Sequence, residues 1–379
     1  MYDMKLPSPD PVEVALSDRL SEYIKAEIEA NSGLISFARF MEMALYQPGL
    51  GYYSAGKYKF GKSGDYVTAP EISSLFAATL ANFCEQVLHE IPKASILEVG
   101  AGSGRFAKDL LLELEKRASL PEKYYILEVS ADLRLRQAEM FSSHCPQILS
   151  RIQWLESLDN VHIRGIILGN EVLDALPVHL FRIENDVIKE RMVAWGKDHF
   201  VLQFGKPLTP GLKEKVSTLV EEYALPSHYE SELHLMLPAL IDTFARCLSE
   251  GVMLFIDYGY GRREYYHPDR SMGTLMCYYR HHRHDDPLFF PGLQDMTAHV
   301  DFTSLAENNL LDLLGFTTQA GFLLSSGILT KELSIKERDA LKTFILPSRM
   351  GEIMKVIALG KNFNEKLLGF QFQDRRRDL

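Results

Sequence analysis

With 379 residues, 46% of them hydrophobic and 24% charged, the chain can bury a full core, either as one large domain with insertions or as two domains. Lys and Arg number 41 against 51 Asp and Glu, and this balance of −10 offers no field for a phosphate backbone, which argues against a nucleic-acid partner. Cys84, Cys145, Cys247 and Cys277 match no metal-ligand or redox spacing, the start MYDMKLPSPDP has neither an apolar signal core nor Arg-rich transit character, and no apolar run is long enough for a bilayer; the expectation is a cytoplasmic protein with free thiols, no metal and no membrane span.

The spacing of Leu20, Ile24 and Ile28 predicts a helix over Ser17–Ala30, stopped by Gly33, and a second helix starts at Ser36 and ends before Pro48. The stretch 51–73, GYYSAGKYKFGKSGDYVTAPEIS, keeps no period and reads as a long irregular loop whose aromatics argue against disorder. Within it Asp65, Tyr66 and Glu71 are candidates to close over a ligand or line an acceptor channel, with helix capping and loop packing as the alternatives. A helix over Ser73–His89, with Phe76, Leu80, Phe83 and Val87 as its buried stripe, feeds the first strand of a sheet.

That strand breaks at SILEVGAGSG, residues 95–104, into a three-glycine turn that opens a helix from about Arg105 to Lys116. Gly100, Gly102 and Gly104 leave the backbone bare to a ligand, the helix presents its free N–H groups at the same corner, and Glu98 stands just before the turn. A dinucleotide fold needs G-x-G-x-x-G, and its third small residue is here Arg105. The spacing E-x-G-x-G-x-G fits S-adenosylmethionine instead, which has no pyrophosphate to cradle and brings a cationic methionine end to the acid. A second strand, Tyr124–Val129, ends in Glu128, placed to accept both ribose hydroxyls, and Ser130 caps the next helix. A third, Ile152–Trp154, leads to Glu156 and Ser157, where adenine is expected. A fourth, GIILGNE, delivers Asn170 and Glu171 at its carboxyl end, the edge where open α/β sheets bind ligands.

Residues 177–249 alternate short strand-like and helical pieces, the mark of an insertion, before VMLFIDYG returns to the sheet as a fifth strand. A loop-rich insertion follows over about 260–299. Phe316–Leu324 and Met354–Leu359 read as the last two strands, with a helix near Ile335–Phe344 between them. The run RHHRHDDP at 280–287 reads as a solvated surface rather than a ligand set. In PGLQDMTAHVDF, residues 291–302, His299 is a candidate to orient an acceptor or take its proton, or else to hold its own loop. The expected organisation is an N-terminal helical lid over residues 1–74 and one domain over residues 75–379 that carries both insertions.

Together these blocks resemble the MidA family of class I S-adenosylmethionine-dependent methyltransferases over nearly the whole chain. The resemblance rests on GYYS at 51–54, GDYVTAPEIS at 64–73, LEVGAGSGRFAKDLL at 97–111, EVSADLRLRQ at 128–137, GNEVLDALPVHLF at 169–181, IDYG at 256–259, PGLQDMTAHVDF, TQAGFLLSSGI at 318–328 and MGEIMKV at 350–356. The glycine turn is generic to methyltransferases, whereas the GNEVLDALPVH and GDYVTAPE blocks are far more specific; Ala101 stands where many relatives carry Pro. The resemblance implies an α/β fold with a Rossmann-like seven-stranded sheet, an N-terminal helical extension and two insertions. It also implies S-adenosylmethionine as cofactor, no metal, and a protein arginine as acceptor, which in the mitochondrial member lies on a subunit of respiratory NADH dehydrogenase (complex I), whose assembly that member serves.

Residue chemistry is consistent with such an acceptor. Transfer from a sulfonium is an in-line displacement, so the enzyme mainly positions a nucleophile, and a guanidinium needs carboxylates that clamp its fork. Glu171 and Asp174 share a face if a helical turn starts at the end of the fourth strand. The expected function is methyl transfer to a protein arginine, with Glu171, Asp174 and His299 at the acceptor and Glu98, Gly100, Gly102, Gly104, Glu128, Glu156, Ser157 and Asn170 at the cofactor. A small-molecule methyltransferase would share the cofactor residues and differ in the insertions. A non-catalytic S-adenosylmethionine-binding assembly factor is the other alternative, against which the intact acid and glycine pattern counts.

Overall fold

The computed structural model describes residues 6–55, 68–330 and 332–379. Its principal sheet is built from β1 (Ser95–Val99), β2 (Tyr124–Leu127), β3 (Ile152–Leu155), β4 (Ile163–Asn170), β5 (Leu248–Tyr260), β6 (Asp312–Thr318) and β7 (Met354–Lys361). They lie in the order β6-β7-β5-β4-β1-β2-β3, with the short strand Val300–Asp301 paired beside the end of β5. β7 runs antiparallel to both neighbours and the other pairs are parallel. This is the expected seven-stranded Rossmann-like sheet. β1, β4 and β5 are buried almost end to end, which is why they read as apolar runs rather than as alternating strands.

One feature of the winding positions the site. From β1 the chain moves outward to β2 and β3, then returns across β1 to form β4 on its other side. Where the winding direction reverses, the loops leaving the two adjacent strands part in opposite directions and open a crevice at their carboxyl ends. Val99 and Gly169 are register partners, so the glycine turn after β1 and the Asn170–Glu171 pair after β4 emerge side by side.

The described chain forms two compact units. The first runs from the helix Ala69–Ile72 to Leu173, adds Leu237–Gly261 and Val300–Leu379, and contains the principal sheet. Its core joins Phe76, Leu80 and Phe83 of the helix Ser74–Glu90 to Ile96, Ile166, Leu254 and Val356 of the sheet. The second unit takes in the N-terminal helices, Asp174–Met236 and Arg262–His299. There the helices Pro11–Ala30 and Phe37–Tyr46 bury Leu20, Ile24, Phe37 and Phe40 with Leu180, Val193 and Phe200 of a five-stranded antiparallel sheet. All four cysteines are buried and free of disulfides, and burial pushes the Cys84 thiol up to about 12. No described helix is long and apolar enough to cross a membrane.

Several local expectations change. The first helix starts at Pro11 rather than Ser17, because Asp10 and Glu13 close a capping box on a turn that carries no apolar stripe. Phe316–Leu324 is not one strand: β6 ends at Thr318, whose hydroxyl accepts the Gly321 N–H and starts the helix Gln319–Ser325. The histidine run is not irregular either. Met276–Tyr279 and His282–His284 pair as a hairpin whose turn residues Arg280 and His281 take φ of 47° and 63°, and Asp295–Thr297 adds a third strand.

Candidate active site

The turn after β1 is built from three left-handed glycines, with φ of 64° at Gly100, 54° at Gly102 and 77° at Gly104. A Cβ on Gly100 would lie 2.8 Å from Val172 Cγ1, so the turn and the segment after β4 approach as closely as bare backbone allows. Gly104 then caps the helix Arg105–Lys116 with no side chain of its own, and the Arg105 N–H donates to Ser103 Oγ at 3.2 Å.

Two carboxyls flank the turn. Glu98, on β1, is 5% exposed, and its Oε2 accepts the Tyr124 hydroxyl at 2.8 Å. Burial pushes its carboxyl up to about 8, opposed by the Tyr124 bond and reinforced by the charge of Glu128. Glu128, just beyond β2 and 6% exposed, accepts the Ser130 N–H at 3.0 Å; burial raises it too, against the pull of that N–H and of Gln137. S-adenosylmethionine offers a sulfonium, an ammonium and a ribose diol, which are cations and donors. A corner with two buried, incompletely compensated carboxyls and a side-chain-free backbone fits that group. Glu98 and the three glycines are the residues that would hold the methionine end, and Glu128 the ribose.

Further residues fix this corner. Ser103 Oγ donates to Glu71 Oε1, and the Arg105 guanidinium bonds the Glu71 carbonyl at 2.9 Å and its carboxylate at 3.5 Å. Glu71 is thereby tied onto the glycine turn, and Arg105, which breaks the dinucleotide pattern, is its tether. Gln137 went unnoticed in the sequence: fully buried on the helix Ala131–His144, it donates to the Gly102 carbonyl at 2.9 Å and accepts the Trp154 indole N–H at 2.8 Å. A glutamine on the buried face of an otherwise amphipathic helix was the available signal. Glu156 is largely exposed and paired with Arg134 at 2.9 Å, and Ser157 bonds Asp159 at 2.9 Å at the surface, so neither joins the buried carboxyl pair.

After β4 the chain makes no helical turn. Glu171 takes φ of 52°, its N–H donates to the Ile256 carbonyl at 2.8 Å, and the next two N–H groups, of Val172 and Leu173, go to Asp257 Oδ2 at 3.0 and 2.7 Å. The fully buried Asp257, at the end of β5, takes the place of helical carbonyls, so the expectation that Glu171 and Asp174 share a helix face is corrected. Glu171 Oε1 accepts the Ala69 N–H at 3.2 Å and the Asn170 amide at 3.1 Å. Burial pushes the Glu171 carboxyl up to about 8, with the Asp257 charge adding to the rise and the two bonds opposing it.

Asp174 and His299 belong to the second unit. Asp174 is buried and its carbonyl accepts the Ala298 N–H at 2.9 Å; the His299 N–H donates to Thr274 Oγ1 at 2.8 Å, and Thr274 in turn bonds the buried Glu232. Asp65 and Tyr66 lie outside the described residues.

A family model for S-adenosyl-L-methionine-dependent methyltransferases matches residues 77–317. A Burkholderia thailandensis protein crystallised with S-adenosyl-homocysteine bound is 38% identical and superposes with a TM-score of 0.94 over 99% of this chain and 100% of its own; a native structure from the same organism is 37% identical, with a TM-score of 0.91 over the same shares. Among curated relatives, the zebrafish (Danio rerio) protein arginine methyltransferase NDUFAF7, mitochondrial, is 30% identical over 83% of this chain and 78% of its own length, and the human protein is 25% identical over 92% and 84%. These names overturn the cytoplasmic expectation, since the relatives are mitochondrial proteins. Free thiols mark a reducing setting and do not separate one such compartment from another. The fold, the glycine corner with its paired acids and the match over most of the length converge: the chain belongs to the MidA-like family and is an S-adenosylmethionine-dependent methyltransferase.

Proposed function

We propose that the chain methylates an arginine on a protein acceptor, with Glu171 as the carboxylate that meets the guanidinium. The observation that carries the reading is the setting of Glu171: at the carboxyl end of β4, beside the glycine turn, in a left-handed conformation held from behind by Asp257 and Ile256. S-adenosylmethionine supplies an electrophilic methyl, whose capture by nitrogen leaves the broken bond's electron pair on sulfur and requires the nitrogen to lose a proton. Glu171, raised to about 8, is charged when a cation faces it and holds a proton readily afterwards. Its Oε1 is fixed by Ala69 and Asn170, so the carboxylate is oriented before the acceptor arrives. The names of the curated relatives support the same acceptor. By the resemblance set out above, a subunit of respiratory NADH dehydrogenase is one candidate partner.

Mass spectrometry of the proteome with and without the gene tests this. Loss of methylation at defined arginines, restored by the wild-type gene and not by Glu171→Gln, is the expected result. An unchanged arginine methylome together with a lost small-molecule methyl product assigns the enzyme to the other acceptor class.

A further inference from the structure

We infer that Asn170 is a second contact to the methyl acceptor: its side-chain oxygen and Oε2 of Glu171 together receive N–H groups of the nitrogen centre that is methylated. The inference deepens the arginine reading and rests on it for the identity of the donor. Neighbouring residues on a strand ordinarily point to opposite faces. Here the left-handed backbone of Glu171 turns its side chain back toward that of Asn170, and the Asn170 Nδ2 donates to Glu171 Oε1 at 3.1 Å. This bond orients the amide, and it leaves Asn170 Oδ1 buried with no hydrogen-bond partner among the described residues. An unmet buried acceptor costs about 1–3 kcal/mol, and a native fold that keeps one at a ligand edge calls for a donor from outside.

Glu171 shows the complementary pattern. Both of its bonds, from Ala69 and from Asn170, fall on Oε1, and Oε2 takes neither. A carboxylate with one oxygen already engaged cannot grip a guanidinium bidentately through two equally available atoms. The paired acceptors left over are Glu171 Oε2 and Asn170 Oδ1, one charged and one neutral, on adjacent residues. A guanidinium carries N–H donors in a fixed fork and no acceptor, so it satisfies both together, whereas a hydroxyl or thiol acceptor brings one donor and leaves one oxygen unmet.

The test uses the whole protein and calorimetry, with three adenosine probes: S-adenosylhomocysteine, and two analogues in which nitrogen replaces sulfur and carries either a guanidinoethyl or a propyl chain. Wild type is expected to prefer the guanidino over the propyl probe, and Asn170→Ala to cut that preference about tenfold while binding S-adenosylhomocysteine and the propyl probe within about twofold of wild type. Asn170→Asp, which keeps an acceptor oxygen, restores the preference and shows that the alanine result is not misfolding. Equal weakening of all three probes by Asn170→Ala makes Asn170 a cofactor residue, and an unchanged preference removes it from the acceptor; either overturns the inference. If wild type itself shows no guanidino preference, the arginine reading falls. An aminoethyl probe then decides Asn170 alone: a preference lost in Asn170→Ala upholds it as an N–H acceptor, and one retained or never present overturns it.

Discussion

Gln137 reaches from the helix Ala131–His144 to the carbonyl of Gly102, 2.9 Å away, and so pins the middle of the glycine turn to the element that follows Glu128. Its other amide atom takes the Trp154 indole N–H, and a longer contact of 3.5 Å reaches Glu128 itself. One buried side chain thus ties the glycine turn to the carboxylate of Glu128. Gln137→Leu keeps the volume and removes all three bonds, leaving the indole N–H unmet at a cost of about 1–3 kcal/mol. Affinity for S-adenosylhomocysteine is expected to fall about tenfold by calorimetry. Unchanged affinity in a folded variant would show that the turn holds its shape without Gln137.

Glu98 sets a pH dependence of stability. Its carboxyl is ordinarily near 4.5 and is raised to about 8 by burial, so between those values the folded state retains a proton that the unfolded chain has lost. Stability contributed by the neutral form is therefore complete below about pH 4.5 and declines as the pH rises toward 8. Glu98→Gln fixes the neutral form and is expected to raise the melting temperature at pH 8 relative to wild type, by about 2–4 °C per kcal/mol for a unit of this size. Some slope remains, since Glu128 and Glu171 are raised as well. A wild-type slope left intact by the substitution contradicts the assignment.

Glu171 predicts the pH profile of the reaction. Only its ionised form attracts a guanidinium, so kcat/KM in the wild type should climb as the pH passes through about 8. Glu171→Gln abolishes that limb and lowers methyl transfer about a hundredfold, with S-adenosylhomocysteine affinity little changed. Loss of cofactor binding with turnover retained would reassign the residue.

Asp257 acts behind Glu171. Asp257→Asn retains the shape while weakening two backbone bonds from charge-assisted to neutral, and the Val172–Leu173 turn should loosen. Methyl transfer is expected to fall about tenfold through misplacement of Glu171, with binding of S-adenosylhomocysteine preserved. Equal loss of both would mean that the turn supports the cofactor side instead.

The sequence reading recovered what is local and periodic. Ile96, Leu97 and Val99 with the glycines announce a strand, a turn and a helix within a dozen residues, and Ser130 and Ser36 cap the helices read from them. What escaped it depends on contacts distant in the chain. Asp257 lies 85 residues from the Val172 N–H that it accepts, and no propensity at Glu171 foretells a left-handed residue in place of a helix start. The pairing of Glu156 with Arg134, on the helix Ala131–His144, is likewise a contact that no local pattern announces. Thr318 sits inside an apolar run that masks its role, yet its hydroxyl caps the helix Gln319–Ser325.

The buried cysteines make the folded protein a poor target for electrophiles. Only the thiolate attacks a disulfide or maleimide, and burial raises the thiols of Cys84, Cys145, Cys247 and Cys277 alike. Cys84 lies within the core of the unit that carries the glycine corner, and Cys277 within the core of the other. Each is therefore a built-in clock for the opening of its own surroundings: the rate at which either is alkylated under native conditions measures how often that core comes apart, and slowing of Cys84 alone by a bound ligand would locate where the ligand's stabilisation is felt.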